Sequence, residues 1–164
     1  MNIQLTTEGG AYILPRARVS GTTPRLVPLT RALLHRALVM ERDLETRRAT
    51  NLLDLRGVLT PGLGVAFVDG SAVLGAGGIA EFDGRVQAWM LVSTAATRPQ
   101  IAQGVRLARR WLDIKSKTFP RIDLYVRAFA PYRESFTAAL GFRDTGNVEP
   151  FGRGDLICRY ERAA

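Results

Sequence analysis

Two Asp-Gly pairs, Asp69-Gly70 and Asp83-Gly84, each separate apolar runs, and they constrain the fold of this chain more than any other feature. A two-residue hairpin loop needs positive φ at its central positions, which Gly adopts freely and Asp tolerates. The runs Val65 to Val68, Ala72 to Phe82 and Arg85 to Val92 therefore predict three consecutive antiparallel strands. Gly75, Gly77 and Gly78 interrupt the middle run, and a bulge or a close packing contact accounts for them without a ligand loop.

On either side of this meander the apolar period changes to that of a helix. Leu29, Leu33, Ala37 and Met40 predict a helix over residues 29–40, and Leu44, Leu52, Leu53 and Leu55 a second over 43–55, stopped before Gly57 and Thr60-Pro61-Gly62. After the meander, Thr97 is placed to cap a helix, Pro99 suits a first turn, and Gln100 occupies the capping-box position. Ile101, Val105, Ala108 and Leu112 form the stripe that this helix should bury, with Arg106, Arg109 and Arg110 on a flank that reaches solvent. A strand over Ile122 to Val126, a helix from Pro131 to Leu140 ended by Gly141, and a strand over Leu156 to Tyr160 complete the order. The first 28 residues hold a candidate strand at Ala11 to Val19 and turn formers from Ser20 to Pro24, and are read as an extension of the domain. The expected fold is α/β (α+β): one mixed, mostly antiparallel sheet with helices on both faces, in a single domain spanning residues 1–164.

The charge narrows the partners. With 23 Lys and Arg against 15 Asp and Glu, the net charge is +8, which favours acidic surfaces or nucleic acid. The arginines are interleaved with Leu, Val and Ala, so the wet faces of amphipathic elements account for most of them. Cys158 and His35, the single residues of their kinds, supply neither an internal disulfide nor a zinc set and are read as packing residues; no metal is expected. No apolar run is long enough to span a bilayer, and residues 1–10 lack the order of a signal peptide.

The meander entering the helix at Pro99, together with Val126 and the run Ala130-Pro131-Tyr132-Arg133-Glu134-Ser135-Phe136-Thr137-Ala138-Ala139-Leu140-Gly141-Phe142, resembles the GNAT acetyltransferase superfamily. Ala88-Trp89-Met90-Leu91-Val92-Ser93-Thr94, Arg110-Trp111-Leu112 and Leu140-Gly141-Phe142 are most similar to a divergent set of GNAT-like phage proteins that includes the internal virion protein A of short-tailed phages. The resemblance implies a coenzyme A diphosphate held by a glycine-rich loop at a helix start, where free backbone N–H groups and the helix dipole favour an anion. Arg98, Gln100 and Ala102 fall where the family places glycines. Thr137 stands where active relatives often carry a proton-donating tyrosine, and Ala130 where an asparagine binds the coenzyme arm.

These departures lead to the expectation of a phage virion structural or assembly protein that expects no cofactor and contacts other virion proteins, and nucleic acid through Arg106, Arg109 and Arg110. Homo-oligomers are compatible with that role, membranes are not partners, and the virion or the cytoplasm of an infected bacterium is the expected location. The alternative is a divergent acetyl-CoA-dependent N-acetyltransferase acting on an amine. In that case Thr97, Arg98 and Gln100 hold the cofactor, Glu81 serves as base, and Tyr132, or its neighbour Tyr125, stands in for the missing acid.

Overall fold

The computed structural model describes residues 23–40, 58–82, 84–151 and 155–163. The expected strand at Ala11 to Val19 and the expected helix over 43–55 lie outside the described residues. Among the described residues, ten elements run in the order β1 (Arg25–Pro28), α1 (Arg31–Val39), β2 (Gly64–Asp69), β3 (Ala72–Phe82), β4 (Arg85–Val92), α2 (Arg98–Lys115), β5 (Arg121–Arg127), α3 (Arg133–Ala139), β6 (Arg143–Phe151) and β7 (Asp155–Ala163). The strands form one sheet in the order β1-β2-β3-β4-β5-β7-β6, and β4–β5 is its single parallel pair.

The predicted meander is present, with one shift. Phe82 pairs with Arg85, so the second hairpin closes where expected, and Gly84 has φ 71°. In the first, Asp69 pairs with Ala72 and still belongs to β2, so the loop is Gly70-Ser71. The cause is tertiary: the Asp69 side chain is buried and accepts a hydrogen bond from Gln100 of α2, which keeps Asp69 within the strand. Between Phe67 and Val68 the register shifts and leaves Leu74 as a bulge. Gly75 and Gly77 owe their lack of a side chain to the neighbouring strand, since a Cβ would stand 2.7 Å from the Leu91 carbonyl oxygen and 3.0 Å from that of Trp89.

Two strands went unrecognised in the sequence. β1 lies within the segment read as an extension, is only four residues long, and ends at Pro28, which an edge strand tolerates. β6 is the opposite edge; it is exposed along most of its length and interrupted between Asp144 and Val148, so it lacks the alternation that marks a half-buried strand.

Alternation along the strands assigns the two faces of the sheet. Leu91 and Ala76 pack with Leu34 and Ala37 of α1 on one face. Ile79, Ile122, Leu124 and Tyr160 pack with Leu112 of α2 on the other, where α3 contributes Phe136. The α1 seam keeps Ala37 of the expected stripe, with Leu29 and Leu33 partly buried beside it, and adds the buried Leu34, while His35 is exposed on the opposite side of the helix. His35 is therefore a surface residue, whereas Cys158 is buried as expected.

α3 ends at Leu140, and Gly141 adopts φ +83°. The buried Arg162 guanidinium of β7 donates to the Leu140 carbonyl and pairs with Asp113 of α2, so the Leu-Gly-Phe closure also docks α3 against α2.

Candidate active-site cleft

β4 and β5 pair at only two rungs, Gln87↔Asp123 and Ala88↔Leu124. Both strands continue beyond these rungs, β4 to Val92 and β5 to Arg127, so the sheet opens into a wedge. On the α2 face the wedge merges with an apolar hollow between α2 and the sheet, lined by Met90, Val105, Ala108, Leu124, Phe136 and Phe142 among others. The cavity volume of the hollow is about 80 Å³, and it opens to solvent at its mouth.

The opposite face of the same seam is polar. Leu124 faces α2, so alternation turns Asp123 and Tyr125 away from it. Arg85 Nη1 of β4 donates to the Tyr125 hydroxyl oxygen of β5 at 3.0 Å, a contact that raises the arginine pKa further. Asp123, buried at the Gln87 rung just inside the one that closes the wedge, is held by Arg159 at 2.9 Å and by Arg121 at 3.3 Å.

The start of α2 sits beside the open end of β4. Thr97 caps it as expected, and Gln100 closes the box: its Oε1 accepts from the Thr97 N–H at 3.0 Å and from the Thr97 hydroxyl at 2.9 Å. Gln100 Nε2 donates to Asp69 at 3.1 Å. The end of the helix is therefore occupied by the chain's own side chains, Pro99 lacks an N–H there, and a buried carboxylate already complements the dipole. Arg98 is exposed at the first helical position.

The remaining candidates are dispersed. Glu81 is exposed next to the β3–β4 turn, pairs with Val86, and has β4 between it and the wedge. Tyr132 is half exposed at the start of α3, its ring edge-on to Phe136 at 6.2 Å. Thr137 is buried, and its hydroxyl is engaged by the Arg133 and Glu134 carbonyls of its own helix at 2.9 and 3.1 Å. Arg106 and Arg110 are exposed on α2, and Arg109, also exposed, reaches the Ala139 carbonyl of α3 at 3.4 Å. The Arg85–Tyr125 bridge was not read as a unit, because its members lie 40 residues apart and only the β4–β5 parallel pairing joins them.

A meander, a helix leaving its third strand, and a parallel neighbour that parts from that strand after two rungs decide the fold. It is the fold of the GNAT N-acetyltransferases. The ribosomal-protein-S18-alanine N-acetyltransferase of Escherichia coli superposes with a TM-score of 0.61 at 14% identity, over 86% of this chain and 94% of that one. A Bacillus subtilis acetyltransferase solved with CoA gives 0.61 at 14%, over 87% and 99%. A spermidine N-acetyltransferase chimera from Vibrio cholerae and human sequences gives 0.61 at 14%, over 85% and 95%. No protein-family model matches the sequence, and a search of curated proteins finds no match. In this GNAT fold, the phage relationship suggested by Ala88 to Thr94 has no counterpart among these structures, which are bacterial enzymes or derived from one. Among the described residues, no helix is long and apolar enough to cross a membrane, and no cluster of metal-ligating side chains occurs.

Proposed function

We propose that the chain is a divergent coenzyme A-dependent N-acyltransferase, with acetyl-CoA as its simplest donor and an amine as acceptor. The observation that carries this reading is the parting of β4 and β5 after Ala88↔Leu124. The opening supplies a slot for a slender thioester arm, and bound acyl-CoA would supply an activated acyl group there. The fit is partial. The wedge suits the arm, while the α2 start, filled by Gln100 and Thr97, does not suit the diphosphate; its charge falls to side chains such as Arg98.

On the leaving-group side, Tyr125 is the candidate proton donor to the departing thiolate, while the acceptor amine gives up its proton to solvent. An arginine can only donate, so the Arg85 contact uses a lone pair of the Tyr125 oxygen and leaves its O–H able to donate onward. Thr137 cannot fill this role while its hydroxyl is spent on its own helix. Glu81 and Tyr132, the groups favoured by sequence, stand away from the rung where the wedge closes. Calorimetric titration with acetyl-CoA tests the reading: micromolar binding supports it, and no heat up to millimolar ligand overturns it.

The second reading is a non-catalytic GNAT-fold module, as in a phage virion, that meets acidic partners through Arg106, Arg109 and Arg110. The self-occupied α2 start favours it, since a retained fold with a closed anion seat needs no coenzyme.

A further inference from the structure

The stripe that α2 should bury is not fully buried. Of its apolar residues only Leu112 is buried, while Ile101, Val105 and Ala108 remain partly accessible on the side turned toward the sheet. Opposite them stand residues too small to fill the space: Gly75 and Gly77 on β3 and Ala88 on β4. Those glycines are held bare by neighbouring carbonyl oxygens, so the sheet cannot supply the missing volume with larger side chains. At Gly104 the helix already touches the Phe67 ring, with a Cβ there 3.1 Å from two ring carbons, which limits how far α2 can settle onto the sheet. The space is thus enforced by contacts on both of its walls.

No side chain lining this hollow carries a charge or a hydroxyl. Its cavity volume is about 80 Å³, several times the ~10–15 Å³ that a single water needs, and the rest of the space opens to solvent at the mouth. A helix above and a sheet below exclude a folded partner and admit a narrow chain. Apart from the indole N–H groups of Trp89 and Trp111, the lining side chains offer the polar groups of a coenzyme no N–H or O–H donor and no oxygen acceptor, whereas methylenes gain wherever they displace water.

We propose that the hollow beneath α2 binds an aliphatic chain entering from its mouth, from a free fatty acid or from an acyl thioester. The site stands on the hollow alone. Combined with the transferase reading, it makes the donor an acyl-CoA longer than acetyl-CoA, bound more through its chain than through its diphosphate.

Calorimetry with hexanoate, octanoate, decanoate and dodecanoate reads the hollow without any coenzyme. Affinity should rise by about fourfold per added methylene until the chain outgrows the space. Ala108→Phe and Ala88→Leu, which fill it from the helix and from the sheet, should flatten that climb by tenfold or more at decanoate while keeping the wild-type near-UV circular dichroism. A flat series in the wild-type protein overturns the proposal without recourse to any variant, and so does an undiminished climb in either folded variant. A climbing carboxylate series with silent acetyl-CoA leaves the hollow assigned and removes the transferase reading. Micromolar acetyl-CoA with a flat series does the reverse.

Discussion

Replacing Gly141 by alanine tests the joint between α2, α3 and β7. Gly141 has φ +83°, a left-handed conformation that costs a residue with a Cβ about 1–2 kcal/mol. The added Cβ would also stand 2.5 Å from Arg162 Nη1, inside any normal contact distance. Arg162 cannot yield freely, because it is buried and its guanidinium donates to the Leu140 carbonyl and pairs with Asp113. Weakening a hydrogen bond from a charged group costs about 1.5–3 kcal/mol. Some relaxation is shared between the two effects, so the expected loss is about 3 kcal/mol, or about 6–12 °C in Tm for a chain of this size. Urea unfolding of Gly141→Ala measures it directly. The same substitution in an Arg162→Met background removes the charged partner and should leave only the backbone cost of about 1–2 kcal/mol. Equal losses in the two backgrounds, or a single-variant loss below about 1 kcal/mol, would refute the contact as the reason for glycine at this position.

Three further outcomes are expected. Burial raises the pKa of Tyr160 above its ordinary value, against a smaller opposing effect of Arg133, so its neutral form is favoured by folding. That contribution is full below about pH 10 and is lost as pH rises through the folded-state value; Tyr160→Phe, which removes a buried hydroxyl without a hydrogen-bond partner, should flatten the alkaline fall seen in unfolding curves without destabilising the protein at pH 7, and an unchanged fall would refute it. Gln100→Gly should cost about 1–2 kcal/mol of stability yet tighten coenzyme A binding about two- to fivefold by vacating the start of α2, and weaker binding in calorimetry would contradict an occupied anion seat. If Arg106, Arg109 and Arg110 meet phosphates, retention on duplex DNA should fall with salt at a log–log slope of about −3, and replacing all three with alanine should remove most of that slope; equal retention by the triple variant would exclude this face.

What could be read in advance follows from how far apart the determining residues are. The hairpin closed by Phe82 and Arg85, the Thr97–Gln100 box and the Gly141 stop each depend on groups within four residues, and each stands where the sequence places it. The mostly antiparallel sheet with helices on both faces followed from chaining such local signals. β6 resisted because an exposed edge strand carrying Pro150 and a positive-φ Gly146 has no core-facing alternation to display. The Asp69 shift and the Arg85–Tyr125 bridge resisted because their causes lie 31 and 40 residues away.

The start of α2 shows the same divide within the site itself. Sequence reasoning placed the loss of coenzyme grip in sterics, as side chains at Arg98, Gln100 and Ala102 replacing glycines. At this helix start the structure adds occupancy and electrostatics to the steric argument. A helix start carries partial positive charge and free donors, and it is most stable beside negative charge and acceptors. Gln100 supplies the acceptor to Thr97 and links the helix end to the buried Asp69 carboxylate. An incoming diphosphate would therefore have to displace a satisfied network as well as crowd the backbone, and it would do so beside a like charge. A donor held through an apolar chain avoids both costs. The closed helix start and the open hollow beneath the same helix thus point to one kind of ligand, long in methylenes and light in charge.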